Sequence, residues 1–240
     1  MAYLNWISDA ALEAEVGKIM NTAQGALKKS SASFGKNVID PFAVMFEMSG
    51  FNIQTVSAWE SSEKSRQAQK TLSNAFGIFH QSVLGHVTGW VDLGTGKNAD
   101  LENASSRIIA EVKNKFNTLK GSGQVTVYDD LHNLVMPIAS RYHGYTAYYV
   151  EIIPKPQRGR PQMYDEAFTP SDRATKTRRN PNPLIRRIDG KSFYALVTGV
   201  PDALNQLHGV LPDVIKNVSG NEINEGEITH IRHYFGKAFA

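Results

Sequence analysis

The run Ile108-Ile109-Ala110-Glu111-Val112-Lys113 constrains this 240-residue chain more than any other stretch. Its apolar residues suit a strand, whose side chains alternate between two faces. Ile108, Ala110 and Val112 then share one face, while Ile109, Glu111 and Lys113 share the other. An acid and a base projecting together from an apolar strand must be paired, solvated or bound to an ion, because burying either charge alone is expensive.

The flanking patterns say what kind of sheet carries that strand. A first helix is predicted after Ser8, with Leu12, Val16, Ile19 and Met20 on one stripe. Asp40 and Pro41 announce a second, an N-cap followed by the residue best tolerated at the first helical position, running through "FAVMFEM" to Gly50. A third follows Ser57, whose partner Glu60 completes a Ser-x-x-Glu capping box; Leu72, Phe76, Phe79 and Val83 face the core and Gly85 ends it. The period then changes. "HVTGWVDL", "NADLEN" and "RIIAEVK" read as a three-stranded meander. After the turn "KGSG", Val127, Leu131, Leu134, Val135 and Ile138 form a helical apolar face, and "YTAYYVEII" returns to strand. A strand, helix and strand in that order leave the last strand parallel to the one holding Glu111. The order is αβββαβ, an α/β class with a mixed central sheet flanked by helices and extra N- and C-terminal helices.

An apolar fraction of 41% with 11 Phe, 9 Tyr and 3 Trp supports one packed globular domain over 1–240. Its core is expected at about 57–155. No stretch reaches the roughly 18 apolar residues of a membrane span, and "MAYLNWISDA" has no signal-peptide pattern, so no membrane partner is expected and a cytoplasmic setting is. The absence of cysteine excludes disulfides, thiolate zinc sites and Cys nucleophiles.

Beyond Pro154 the chain turns to Pro, Arg and polar residues as far as Pro183 and reads as a long functional loop, the start of a basic C-terminal elaboration over about 155–240. "SFYALVTG" is predicted as a strand, "DALNQLHGVLPDVI" as a helix and "EGEITHIRHYF" as a short terminal helix. From Lys155 to Lys191 there are ten Lys/Arg against four Asp/Glu, a net of +6; the remainder, with 16 basic and 19 acidic residues, carries −3. A cationic stretch on a mildly acidic body points to a polyanion, nucleic acid first, the bland alternative being a solvated loop.

Acid-x-Lys occurs twice, at Glu111-Val112-Lys113 and Asp189-Gly190-Lys191, so the triplet alone says little. Asp189 sits in a turn beside a glycine, whereas Glu111 sits on an apolar strand with Asp100 on the strand before it. Antiparallel neighbours could bring Asp100 and Glu111 together around one cation. Mg²⁺ takes one or two carboxylates, several waters and a substrate phosphate oxygen, and can activate water and offset charge on a phosphorane. Lys113 would orient or deprotonate that water, or hold the scissile phosphate. On the bland reading Asp100 is a turn residue and Glu111 with Lys113 a surface pair.

Other residues carry less. Glu60 could be a further acid, but its capping role explains it. Lys115 shares the face of Glu111 and could reach a phosphate; Asn114, Asn117 and Thr118 could meet DNA backbone or simply form a turn. "GTGK" at Gly94 to Lys97 lacks the spacing of a P-loop. His230 and His233 lack a third metal ligand, no HExxH is present, and no nucleophile elbow supports a Ser/His/Asp triad.

The order αβββαβ with Asp100, Glu111 and Lys113 in place resembles the PD-(D/E)xK nucleases. More narrowly, "DLENASSRIIAEVKNKFNTLKGSG", with "FHQSVLGHVTGW" upstream and "YYVEIIPK" downstream, is similar to the type II restriction endonucleases that cut GGNCC. The resemblance runs the length of the chain and is strongest from about Phe79 to Lys155. It implies Mg²⁺-dependent hydrolysis of both strands of double-stranded DNA, with Asp100 and Glu111 as metal ligands and Lys113 as the catalytic lysine. Ala99 stands where the family name has proline, which makes Asp92, in "GWVDLG", a competitor of Asp100 for the first acid; Asp100 is favoured because a shorter connection joins it to the Glu111 strand. A restriction-modification system also implies a cognate DNA methyltransferase acting on the same site without needing to bind this chain.

Phosphate contacts supply affinity and base contacts specificity. The candidates are Arg158 and Arg160, next to the "YYVEII" strand, with Lys115; then Arg173, Lys176 and Arg178; then Arg179, Arg186 and Arg187. Arginine can grip guanine O6 and N7 in the major groove, and GGNCC offers two guanines per half-site. A two-fold symmetric site suits a homodimer with one centre per strand. Two other readings use the same residues: a PD-(D/E)xK nuclease of repair or junction resolution, and a non-catalytic nucleic-acid-binding protein.

Overall fold

The computed structural model describes residues 2–36, 38–94, 96–97, 99–156 and 163–239. Ser8 caps the first helix, α1 (Asp9–Ser33), its hydroxyl accepting from the Ala11 amide at 3.3 Å. Leu12 and Val16 of the expected stripe are buried, with Ile19 and Met20 packed beside them. The Asp40 carboxylate starts α2 (Pro41–Gly50) as expected, accepting from the Phe42 and Ala43 amides at 2.9 and 3.3 Å. The long α3 (Val56–Gly85) begins two residues before the expected position. Thr55, with extended backbone, accepts from the Ala58 amide at 3.2 Å, and Ser57 is already helical and so cannot cap. Glu60 therefore belongs to no capping box and pairs instead with Lys64 one turn on, at 3.4 Å.

The meander forms as expected, antiparallel throughout: β1 (Val91–Asp92), β2 (Leu101–Asn103) and β3 (Ile108–Lys115). α4 (Gly121–Val135) then crosses over to β4 (Thr146–Ile153), which runs parallel to β3 with Glu111 beside Tyr149. The expected turn at "KGSG" is the first turn of α4, and Ile138 lies past its end, 86% exposed. Pro137 cannot continue the ladder, which explains the earlier stop. At Gly121 a Cβ would lie 2.5 Å from the Ser171 carbonyl oxygen, so glycine is what lets the helix start against that segment.

The segment after Pro154 is more structured than its composition suggests. It holds β5 (Asp165–Ala167), β6 (Ser171–Asp172), β7 (Thr177–Arg178) and β8 (Ile185–Asp189). β8 lies parallel to β4, and β5 pairs antiparallel on its far side, giving a six-stranded sheet in the order β1-β2-β3-β4-β8-β5. The central sheet thus reaches well beyond residue 155, while β6 and β7 form a separate hairpin.

"SFYALVTG", expected as a strand, lies in the helix α5 (Gly190–Thr198). The Asp189 carboxylate caps it through the Ser192 amide at 3.0 Å, and Phe193, Tyr194 and Val197 bury one face at helical spacing. Its aromatic and β-branched content favours a strand locally; the cap and the face packed on the sheet override that preference. α6 (Ala203–Ser219) and α7 (Glu225–Ala238) follow as expected.

The sheet has helices on both faces. Ala110, Val112, Tyr148 and Val150 pack with α1, α3, α5 and α6, and Ile109, Ala147, Tyr149 and Ile185 pack with α4.

Candidate active site

Leu101 pairs with Ala110, so Asp100, one residue earlier, falls opposite Glu111. The Asp100 amide donates to the Ala110 carbonyl at 2.8 Å, and Asp100 Oδ2 accepts from the Val112 amide at 2.7 Å. Leu101 and Ala110 are buried in the core on the α3 side. By strand alternation Asp100 and Glu111 therefore share the opposite face. Lys113 Nζ donates to Glu111 Oε1 at 2.5 Å. These three line a cleft of about 690 Å³ at the margin of the sheet, which Ser73, Gly77 and Gln81 of α3 also line.

Burial pushes the Asp100 carboxyl up; the Val112 amide and the Lys113 charge pull the other way. Burial also raises Glu111, and the Asp100 charge is its next largest cause, ahead of the opposing pull of Lys113. Each of these groups would be held as a carboxylate by a divalent cation. The donor set fits one: two facing carboxylates, with Asp100 Oδ1 taking no hydrogen bond among the described residues. That leaves room for the waters and phosphate oxygen that Mg²⁺ keeps.

Asp92 is placed differently. Its carboxylate accepts from Gln81 Nε2 at 2.6 Å, Ser82 Oγ at 3.1 Å and the Gly94 amide at 2.8 Å, engaging both oxygens. It clamps β1 to α3 where the two approach closely; a Cβ on Gly85 would lie 2.6 Å from that of Asp92.

Glu60 stands 17 residues before Gly77 on α3, roughly 25 Å along the helix and remote from the cleft. His230 on exposed α7 lies 3.8 Å from Glu227, and no cluster of three metal-ligating side chains occurs among the described residues.

The predicted DNA contacts divide into groups. Lys115 lies on the cleft wall with Asn114 and Thr118. Arg173, Lys176 and Arg178 are exposed on the β6–β7 hairpin, and among the described residues none of them is in an ion pair. Arg158 and Arg160 lie outside the described residues. The other three have internal partners. Arg179 grips Asp129 of α4 through two hydrogen bonds of 2.6 Å. Arg186 meets Asp165 at 2.5 Å, and Arg187 lies 3.3 Å from Glu166 and 3.8 Å from buried Glu151, over the Tyr164 ring. On a sheet strand an arginine finds the acids of the next strand, a pairing that a loop reading of this segment does not reveal.

Sequence reasoning missed the contribution of α3. Gln81 is buried, holds Asp92 and reaches the Asp100 carbonyl at 3.5 Å. The signal was available: Ser73, Gly77 and Gln81 recur every four residues, a small and polar stripe on an otherwise core-facing helix. Lys97, dismissed with the P-loop question, also lines the cleft.

Comparison with known proteins settles the family. The model of the Eco47II restriction endonuclease family matches residues 4–219. The chain belongs to that family. It is 44% identical over 225 residues to the type II restriction enzyme Eco47II of Escherichia coli, covering 94% of this chain and 92% of that one. It is 30% identical over 212 residues to the type II restriction enzyme Sau96I of Staphylococcus aureus, covering 88% of this chain and 78% of that one. The region matched to the Eco47II restriction endonuclease family takes in the whole sheet, the facing acids and Lys113, and ends at the last residue of α6. Among the described residues no helix is long and apolar enough to cross a membrane.

Proposed function

We propose that this restriction endonuclease hydrolyses both strands of double-stranded DNA at a short palindromic site of the GGNCC kind, as a cytoplasmic homodimer with Mg²⁺ as cofactor. One observation carries the reading: in a chain of this family, Asp100 and Glu111 face each other across an antiparallel pair at a cleft, with Lys113 bonded to Glu111.

Asp100 and Glu111 would hold the cation. It would supply Lewis acidity for the phosphate and an activated water. The Val112 amide fixes the Asp100 side chain so that one oxygen stays available. Lys113, with three donors and a positive charge, would place the attacking water or hold the scissile phosphate. Lys115 extends that positive edge along β3, and the β6–β7 hairpin, with Arg173, Lys176 and Arg178, is a two-stranded ribbon, an element that the major groove admits. One domain spans the chain, because β5 and β8 complete the sheet that holds the acids. A cognate methyltransferase would act on the same DNA site without contacting the protein.

Incubation of the purified protein with phage DNA in Mg²⁺ or EDTA tests this. Discrete fragments in Mg²⁺ alone are expected, and mapping their ends gives the site. Structure-selective cutting would favour junction resolution, and retardation without cutting would reduce the protein to a DNA binder.

A further inference from the structure

The segment from Val38 to Val56, around α2, has no place in the catalytic reading. No residue of α2 is buried, yet its outward stripe is apolar: Phe42, Met45 and Phe46 are 68%, 60% and 78% exposed, with Phe51 at 72% beside them. Positions 42, 45 and 46 lie on one helix face. The inward side, with Met48 and with Glu47 accepting from Trp59 Nε1 at 2.7 Å, rests on α3. A helix apolar on both sides is a helix that gets covered.

We propose that the outward face of α2 is the surface on which a second copy of this chain docks. The proposal rests on the two-centre reading above and names the part of the molecule that would join the centres.

Two observations favour a second copy over another partner. First, the exposed area is of the right size. At 150–250 Å² per aromatic side chain, the three phenylalanines alone expose on the order of 300–550 Å², to which exposed Met45, Val38 and Val56 add. Monomers rarely leave more than a few hundred Å² of contiguous apolar patch, and a stable interface buries about 800 Å² from each partner. Second, the patch is self-complementary. A two-fold contact sets the same patch against itself, so a patch carrying net charge would face its own sign. Asp40 and Glu47 are the only charged residues between Val38 and Trp59. Asp40 is committed to the α2 amides and Glu47 to the Trp59 indole. Nothing ionic is left to oppose its symmetry mate. Because α3 carries α2 at one end and the cleft wall at Ser73 to Gln81 further along, joining two α2 helices would tie both clefts to one pair of rods.

Sedimentation velocity of the full chain at micromolar concentration is expected to show a species of twice the 26.5 kDa chain mass. Phe42→Glu with Phe46→Glu is expected to halve that mass while the far-UV circular dichroism stays unchanged. A second pair guards against a folding defect: Met45→Lys and Met45→Glu copies, each monomeric alone, are expected to recover the dimer when mixed. A monomeric wild type, a doubly substituted chain that stays dimeric, or a wild type that floats with lipid vesicles as a monomer would each overturn the proposal. A wild-type dimer that dissociates on substitution but cuts no DNA would support this docking surface and count against the nuclease reading.

Discussion

The Val112 amide donates to Asp100 Oδ2 at 2.7 Å, so the strand that carries Glu111 also fixes the acid facing it. Asp100→Asn keeps an acceptor for that amide and removes the charge. It is expected to cut plasmid DNA at least about 10²-fold more slowly in Mg²⁺, with little change in melting temperature. Glu111→Ala and Lys113→Ala are each expected to abolish cleavage while preserving the fold and much of the DNA affinity, measured with Ca²⁺ in place of Mg²⁺. Asp92→Ala is expected to do the reverse: it strands the buried Gln81 amide, costs about 1–3 kcal/mol in chemical denaturation, and leaves cleavage at low temperature. A dead but stable Asp92→Ala beside an active Asp100→Asn would exchange their roles.

The hairpin gives a second expectation, read from salt dependence. Arg173→Ala, Lys176→Ala and Arg178→Ala should each lower DNA affinity and flatten the plot of log affinity against log salt by about 0.9 per lost phosphate contact. Fluorescence anisotropy across a salt series measures it. An unchanged slope for all three removes the hairpin from the interface.

Gly190 tests the packing of α5 against the sheet. A Cβ there would sit 2.3 Å from the Ile152 carbonyl oxygen and 2.7 Å from Ile152 Cα, both backbone atoms that cannot swing away. Gly190→Ala is expected to lower stability by at least about 2–3 kcal/mol, or to prevent folding, as seen by urea unfolding. A melting curve matching the wild type would show that β4 and β8 separate more easily than their register implies.

His80 makes the fold acid-sensitive. Its Nδ1 lies 2.8 Å from the hydroxyl of fully buried Tyr194, and burial of the ring holds its pKa down at about 4, against 6.5 when exposed. The folded protein thus binds fewer protons than the unfolded chain between those values. Stability is full above pH 6.5 and falls as pH drops toward 4, by about 2–3 kcal/mol in all. Denaturant midpoints from pH 7 to pH 4 should show this loss, and His80→Phe should lose less. Equal slopes for the two proteins would remove His80 as the cause.

How much of this was readable in the residues depends on the range of the interactions. Ser8 and Asp40 cap the helices they announce, and the alternation in Ile108–Lys115 places Glu111 and Lys113 on one face, because both signals act within a few residues. The Ser-x-x-Glu pattern points to Ser57 where Thr55 caps, because both residues can cap and only backbone geometry separates them. α5 reads as a strand because its cap, Asp189, looks like a turn residue and its aromatic and β-branched content favours a strand locally, while the packing of its face on the sheet is long-range. β8, with the sequence "IRRID", shows two charges in a row. Only the acids of β4 and β5, distant in sequence, explain how a half-buried strand inside the sheet tolerates them. The clamp on Asp92 was unreadable for the same reason, since only the folded approach of α3 to β1 brings Gln81 and Ser82 to that carboxylate.

The chain contains its acid-x-Lys triplet at two neighbouring places in the sheet, for Lys113 lies beside Glu151, which lies beside Asp189. At Asp189 one oxygen is taken by the Ser192 amide and the other by the Tyr164 amide. If the proposed site is the reactive one, reactivity in this sheet is a matter of vacancy: of two look-alike carboxylates, the one left short of partners would accept a guest, and the sated one serves as masonry.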